Sequence, residues 1–426
     1  MRRAEWVGPR VRSGVVHALA ALCLGALLAG CGPREVSTGH EVVVFRHPKL
    51  FGDPAALERL FAEFERESGI RVRSETLPSA SDEQHLFYAI NLQAGSREFD
   101  VFALDVIWVA EFARAGWLVD LTALVPDADR EDLFPGPLAA VTWNRRIYAL
   151  PWFVDAGLLY YRKDLLDKHG LAPPATWQAL VDAARVVTGR EPGLYGFVWQ
   201  GKQYEGLVCN ALEFVRGQGG DLPASDAARD ASLRGLAFMR ALVIDGVAPP
   251  FVTTLTEEPA RVIFGQGRAL FLRNWPYAWQ LLARDGSPVQ GKIGVAALPH
   301  APGQPAAATL GGWQLGVNVH SARPAAAARV AAFLASARAQ KALALAYGYA
   351  PPRRSLYRDP ALARAQPFLA SLREIFETAR PRPVSPHYVA LSQVLQSELS
   401  GVLTGERAPA AAVRAIDRAH RELERR

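Results

Sequence analysis

The chain has 426 residues, is 50 % hydrophobic and 21 % charged, and carries a formal net charge of +6 with three cysteines. That length suits about two ordinary domains. The charge is too dilute for a nucleic-acid footprint, and the cysteines are too few for a disulfide scaffold.

Arg2, Arg3, Arg10 and Arg12 precede an apolar stretch at 15–28 that closes in Leu28-Ala29-Gly30-Cys31. The stretch is too short to span a bilayer and has the build of a secretory signal. A small-residue triplet directly before a cysteine resembles the bacterial lipobox, where cleavage leaves the cysteine as a lipid-modified first residue. The expectation is a signal peptide at 1–30, lipidation at Cys31 and a Gly- and Pro-containing tether at 31–39. The exported body would be held at a membrane, facing the periplasm or cell exterior. An ordinary signal peptide with an incidental Cys31 is the alternative. The leader's four arginines and one glutamate account for half of the net charge. With Cys23 removed and Cys31 lipidated, Cys209 stands alone, so stability must come from a core rather than a disulfide. The nine histidines are scattered without ligand spacing, so neither a metal nor a cofactor is expected. No second apolar run reaches membrane-spanning length.

The body opens on Val42-Val43-Val44-Phe45, a buried-strand run. Leu57, Leu60, Phe61 and Phe64 recur at helical spacing, and Gly69 stands where a left-handed cap ends such a helix. Strands at 70–72 and 100–104 alternate with helices at 84–93 and 107–115. That alternation predicts a parallel α/β sheet. A second set begins with a strand at 158–161 and a helix at 177–187, for which Thr176 is the N-cap. It continues through a strand at 196–198, helices at 231–244 and 260–265, and a strand at 269–272. Strand pattern returns at 292–297 and 316–319, then an alanine-rich helix at 324–337 opens a mostly helical C-terminal part.

Within this frame a few residues carry binding chemistry. Trp275 lies just after a strand, and Trp313 follows Gly311-Gly312 in what reads as a turn before a strand. Glycines there let the backbone approach a ligand, and an indole offers a flat apolar face. Sugars have C–H patches on one face and hydroxyls at the edge, so aromatic walls with carboxylates suit them. Both tryptophans serving as core is the alternative. Asp105 ends a strand and precedes a helix, which fits an N-cap or a carboxylate at the strand end where α/β clefts open. A carboxylate accepts two strong hydrogen bonds from hydroxyls. Asp155, in PWFVDAG at 151–157, falls between the two α/β sets and reads as cleft, hinge or turn. Arg353 follows Pro351-Pro352 in a rigid loop, where it donates to a hydroxyl or is simply solvated.

Several longer blocks then carry a resemblance. They are GFVWQGKQYEGLVC at 196–209, DAGLLYYRKDLL at 155–166, RNWPYAW at 273–279, ATLGGW at 308–313, and DVFALDVIW at 100–108 with GWL at 116–118. Together they resemble the trehalose/maltose-binding proteins of bacterial and archaeal ABC sugar importers, over almost the whole mature chain. The resemblance implies a periplasmic-binding-protein fold, two α/β lobes around a hinged ligand cleft. It implies one lobe from 40–151 with 292–337 and another from 152–291 with 338–426. By the same resemblance Asp105, Asp155, Trp275, Gly312, Trp313 and Arg353 fall on sugar-contact positions, with Tyr277 a neighbour. There are departures. His85, in SDEQH at 81–85, stands where the family's sugar-binding arginine is expected, and Phe153 stands where a tyrosine hydroxyl is expected. The first loop, RHPKLFGD at 46–53, lacks the expected glutamate.

The implied function is capture of an α-linked disaccharide, with another sugar or a sugar alcohol as the alternative. The implied partners are the sugar and an ABC permease whose ATPase is a separate subunit, since no Walker A motif occurs in this chain. A monomer is the simplest state. A secreted glycosidase using Asp105 and Asp155 is the rival from another class, and it requires one of the two carboxyls to have a raised pKa.

Overall fold

A computed structural model describes residues 41–78, 81–366 and 368–425, so the expected signal peptide, Cys31 and the tether lie outside them. The chain runs β1 (Glu41–Pro48), α1 (Pro54–Ser68), β2 (Ile70–Leu77), α2 (Ser81–Gln93), β3 (Val101–Asp105) and α3 (Val109–Arg114). It continues through β4 (Ala149–Ala156), β5 (Leu158–Arg162), α4 (Trp177–Thr188), β6 (Tyr195–Val198), α5 (Glu205–Arg216) and α6 (Arg229–Ile244). Then follow α7 (Glu257–Gly265), β7 (Ala269–Asn274), β8 (Ile293–Ala296), β9 (Leu310–Val317), α8 (Pro324–Leu334) and α9 (Ala337–Tyr347). The last two long helices are α10 (Tyr388–Thr404) and α11 (Pro409–Leu423).

Local chemistry accounts for these elements. In α1 the buried residues Leu57, Leu60, Phe61 and Phe64 form one face. Asp53 caps its start by accepting from the Ala55 amide at 3.0 Å, Pro54 fits its first turn, and Gly69 ends it at φ 73°. Thr176 caps α4 through a bond from the Ala179 amide at 3.2 Å. The alanine-rich stretch after Pro324 is two helices rather than one. Ser336 interrupts it and caps α9, its hydroxyl accepting from the Ala339 amide.

The strands form two main sheets. The first has the order β2-β1-β3-β9-β4, the second β8-β5-β7-β6. The strands whose alternation predicts a parallel sheet do pair in parallel, and two further strands join that sheet antiparallel. β1 pairs in parallel with β2 and β3, but β9 lies antiparallel to both β3 and β4. The stretch 151–157, read as cleft, hinge or turn, lies mostly in β4, a strand whose eight residues are all buried. Gly311-Gly312-Trp313, read as a turn, lies inside β9.

Each sheet has its own core. Phe45, Phe102, Trp108 and Trp152 belong to the first. Leu159, Trp199, Leu212 and Phe271 belong to the second, which the apolar faces of α10 and α11 complete through Leu395, Leu399, Val413 and Ile416. Residues 152–156 stay in the first sheet, 293–296 pair with β5 in the second, and α9 packs Ala339, Leu343 and Tyr347 into the first core. Among the described residues no helix is long and apolar enough to cross a membrane.

Candidate functional site

Asp105 is the last residue of β3, and the antiparallel register seats Trp313 opposite it. On the other side of β9, Trp313 pairs with Phe153 and Gly311 with Asp155. Three strands thus bring an indole, a phenyl ring and two carboxylates to one end of the first sheet. Gly312 makes this approach possible. Its φ is +121°, and a Cβ there would lie 2.4 Å from the Phe153 carbonyl oxygen. A bulge between Trp313 and Gln314 re-aims the strand at the same point. From the second sheet, β7 ends at Asn274 and leads Trp275 and Tyr277 into the same space. The first turns of α5 and α7 add Glu205, Glu257 and Glu258. These groups line a cavity of about 560 Å³, a usual size for a small-molecule site.

The aromatic walls are held from behind. The Arg273 guanidinium lies 3.8 Å from the Trp275 ring centroid, and Glu213 grips that guanidinium through two bonds of 2.7 and 2.5 Å. Trp313 meets Trp108 edge-on at 5.7 Å. Phe153 stacks on Tyr349 at 4.3 Å, and Tyr277 stacks on Phe51 at 5.5 Å while its hydroxyl donates to Glu258 at 2.8 Å.

The two central aspartates have different surroundings. Asp105 Oδ1 accepts from Arg382 Nη2 at 2.9 Å and from the Ile107 amide at 3.2 Å. The other end of Arg382 donates to Glu205 Oε1 at 2.9 Å, and Tyr388 donates to the same oxygen at 2.7 Å. Ser392 donates to the second Glu205 oxygen. Burial pushes the Glu205 carboxyl up, opposed by Arg382 and the two hydroxyls. Asp155 has no such support. Its Oδ1 is buried and has no hydrogen-bond partner among the described residues. Burial pushes its carboxyl up to about 7, with Arg273 opposing and the charges of Asp105 and Glu257 adding to the rise. A hydroxyl donated from a ligand would relieve that orphaned oxygen. Flat aromatic faces beside it would cover a sugar's C–H surface.

Residues 49–341 match the family of bacterial extracellular solute-binding proteins. The chain belongs to that family. A probable ABC transporter-binding protein of Deinococcus radiodurans is 38 % identical over 364 residues, which cover 83 % of this chain and 86 % of that protein. Among solved structures, maltose-bound MalE3 of T. maritima aligns with a TM-score of 0.83 at 41 % identity, covering 90 % of this chain and 99 % of its own. A Thermotoga lettingae solute-binding protein holding α-D-tagatose aligns at 0.79 with 25 % identity, over 90 % and 100 % of the two chains. The chain is therefore an extracellular solute-binding protein with a MalE-like fold, exported and non-enzymatic. The glycosidase reading is set aside by the family, although Asp155 does have a raised pKa.

The cleft of the solute-binding protein gathers Asp105, Phe153, Asp155, Trp275, Tyr277, Gly312 and Trp313. Two expected contacts stand elsewhere. His85 Nε2 pairs with Glu111 at 2.9 Å, and its ring packs against Trp108 and Phe112, so it is not among the lining residues. Arg353 is drawn to Asp129 at 2.9 Å and to the Ala335 carbonyl just past the end of α8, where helix-end charge favours a cation. In its place Arg382 lines the cleft. Both arginines are flanked by proline, Arg353 after Pro351-Pro352 and Arg382 between Pro381 and Pro383. That shared signal does not rank them; the carboxylates each one meets do. Glu205 lies inside the block 196–209 that carries the resemblance, but nothing local marks it as buried. Tyr349, Glu257 and Glu258 also line the cleft without having been singled out. Cys209 is free and buried at its edge, where burial pushes the thiol up to about 12 and keeps it unreactive.

Proposed function

We propose that the cleft captures an α-linked disaccharide, trehalose, maltose or a related glucoside, and hands it to an ABC permease driven by a separate ATPase. One observation carries this reading. Asp105 and Asp155 from one sheet and Trp275 from the other converge with Trp313 on one cavity, which offers carboxylates for hydroxyl edges and indoles for ring faces. The T. maritima relative, similar over 90 % of this chain, holds maltose. The same site grouping, Asp105, Asp155, Trp275, Tyr277, Gly312, Trp313 and Phe153, is the proposed binding set, with Arg382 replacing Arg353. The two layers act as lobes. A sugar touching both binds the closed form more tightly, and that difference drives hinge closure.

A second reading is a different sugar or a sugar alcohol. It is favoured by Phe153, which offers no hydroxyl, and by His85, which lies outside the cleft. The T. lettingae relative binds tagatose, and a Pseudomonas aeruginosa mannitol-binding protein matches 28 % of this chain at 32 % identity. Calorimetric titration with trehalose, maltose, sucrose and glucose separates the readings. Saturable one-to-one binding of a disaccharide is expected; heat from none of the four sinks the disaccharide reading and leaves the second.

The protein is tethered through Cys31, which the lipobox-like Leu28-Ala29-Gly30-Cys31 supports, and a monomer is its simplest state. Lipid chains on one residue hold a body at a membrane without spanning it. In detergent phase partition the protein is expected in the detergent and the Cys31→Ser variant in the aqueous phase. Equal partition of the two would defeat the anchor.

A further inference from the structure

A second cavity, of about 410 Å³, lies between α6 and α11 and shares no lining residue with the cleft. Arg414, Arg418 and Arg421 of α11 line it. Spaced by four and three residues, they share one face of the helix, and all three are exposed. No ion pair or hydrogen bond engages any of them among the described residues. The one carboxylate that lines the same groove, Asp417, is already committed. Asp417 is buried, with one oxygen accepting from Arg229 at 2.8 Å and the other from the Ala224 amide at 2.9 Å. Further along, Glu424 accepts from Ser385 at 3.0 Å. Three like charges at this spacing repel one another, and Asp417 and the exposed Glu422 on the same helix form no ion pair with any of the three among the described residues.

The groove also has shape. Arg229 of α6 lines the groove from the other helix and is pinned by Asp417 and Asp226, so one wall is preformed. Leu233 and Val413 give the cavity an apolar lining. Guanidinium forks match paired oxygens of a phosphate group better than a point charge does. An apolar lining beside them suits the carbon portion of an ester.

We propose that this groove is a binding site for phosphate esters, supplied as the headgroup of an anionic phospholipid or as a free phosphate compound. The site is independent of the sugar cleft. The test is titration of the purified protein with inorganic phosphate, with dihexanoyl phosphatidylglycerol below its micelle-forming concentration, and with dihexanoyl phosphatidylcholine. Saturable binding of phosphate or of phosphatidylglycerol is expected, weakening with added salt. It should fall at least about ten-fold in the variant Arg414→Gln/Arg418→Gln/Arg421→Gln, and at least about three-fold in Arg418→Lys, which keeps the charge but loses the fork. Preference for phosphatidylglycerol over both other probes assigns the lipid source, and preference for inorganic phosphate assigns the free compound. Absence of saturable binding by either anion, or undiminished binding in the triple variant, overturns the proposal. If the triple variant melts early, Arg418→Gln alone carries the same test.

Discussion

Asp105 and Asp155 are the same residue type near the ends of the two strands that flank β9, yet the fold treats them oppositely. Arg382 and the Ile107 amide satisfy Asp105, while Asp155 keeps one buried oxygen without a partner among the described residues. The sign of the stability consequence follows from proton uptake. An unfolded aspartate titrates near 3.8 and the folded Asp155 near 7, so between those values the folded state holds more protons. Stability from this group is therefore fully present below about pH 4 and declines as pH rises toward about 7. Comparing denaturant unfolding of wild type and Asp155→Asn from pH 4 to pH 8, the variant should gain on wild type as pH rises, by at most about 4 kcal/mol. A difference that stays constant with pH would remove Asp155 from this role. Both aspartates were legible from sequence, Asp105 because it ends a strand-like run and Asp155 because it falls between the two α/β sets. Their unequal partners were not, because the Arg382 that satisfies Asp105 lies 277 positions away in sequence.

At the scale of elements, the amphipathic helices and their caps were readable, and the strands less so. Thr176 and Gly69 act as caps because a hydroxyl or a missing Cβ serves the nearest backbone groups, which is a local requirement. β4 gave no such signal. It is buried on both faces, so it lacks alternation, and Pro151 within it argues against a strand. Gly311-Gly312 looks like a turn for the reason glycine usually does. Here the pair instead allows β9 to press against β4, since a Cβ on Gly312 would strike the Phe153 carbonyl. Strand direction was hidden as well, because β9 returns from a distant part of the chain to pair antiparallel with β3.

Across the whole molecule, Arg382 ties the layers together. It lies 4 % exposed, joining Asp105 of the first sheet to Glu205 on the helix that packs on the second. Replacing it by methionine would keep the volume and leave two carboxylates buried without a counter-charge. Arg382→Met is expected to lose about 3–5 kcal/mol in chemical denaturation; an unchanged unfolding midpoint would mean that the bridge contributes nothing to holding the layers. Residues within a few positions of one another, the leader pattern and the matching blocks were enough to establish an α/β solute-binding class, most strands and helices, and seven of the residues that line the cleft. Periodicity, capping and composition are short-range properties, so they are written locally. The choice of Arg382 over Arg353, the packing of His85 against Glu111, the mixed sheet and the separate arginine groove needed the folded chain. Each depends on charges and backbone brought together from distant segments, and no local pattern encodes which distant partner a side chain will meet.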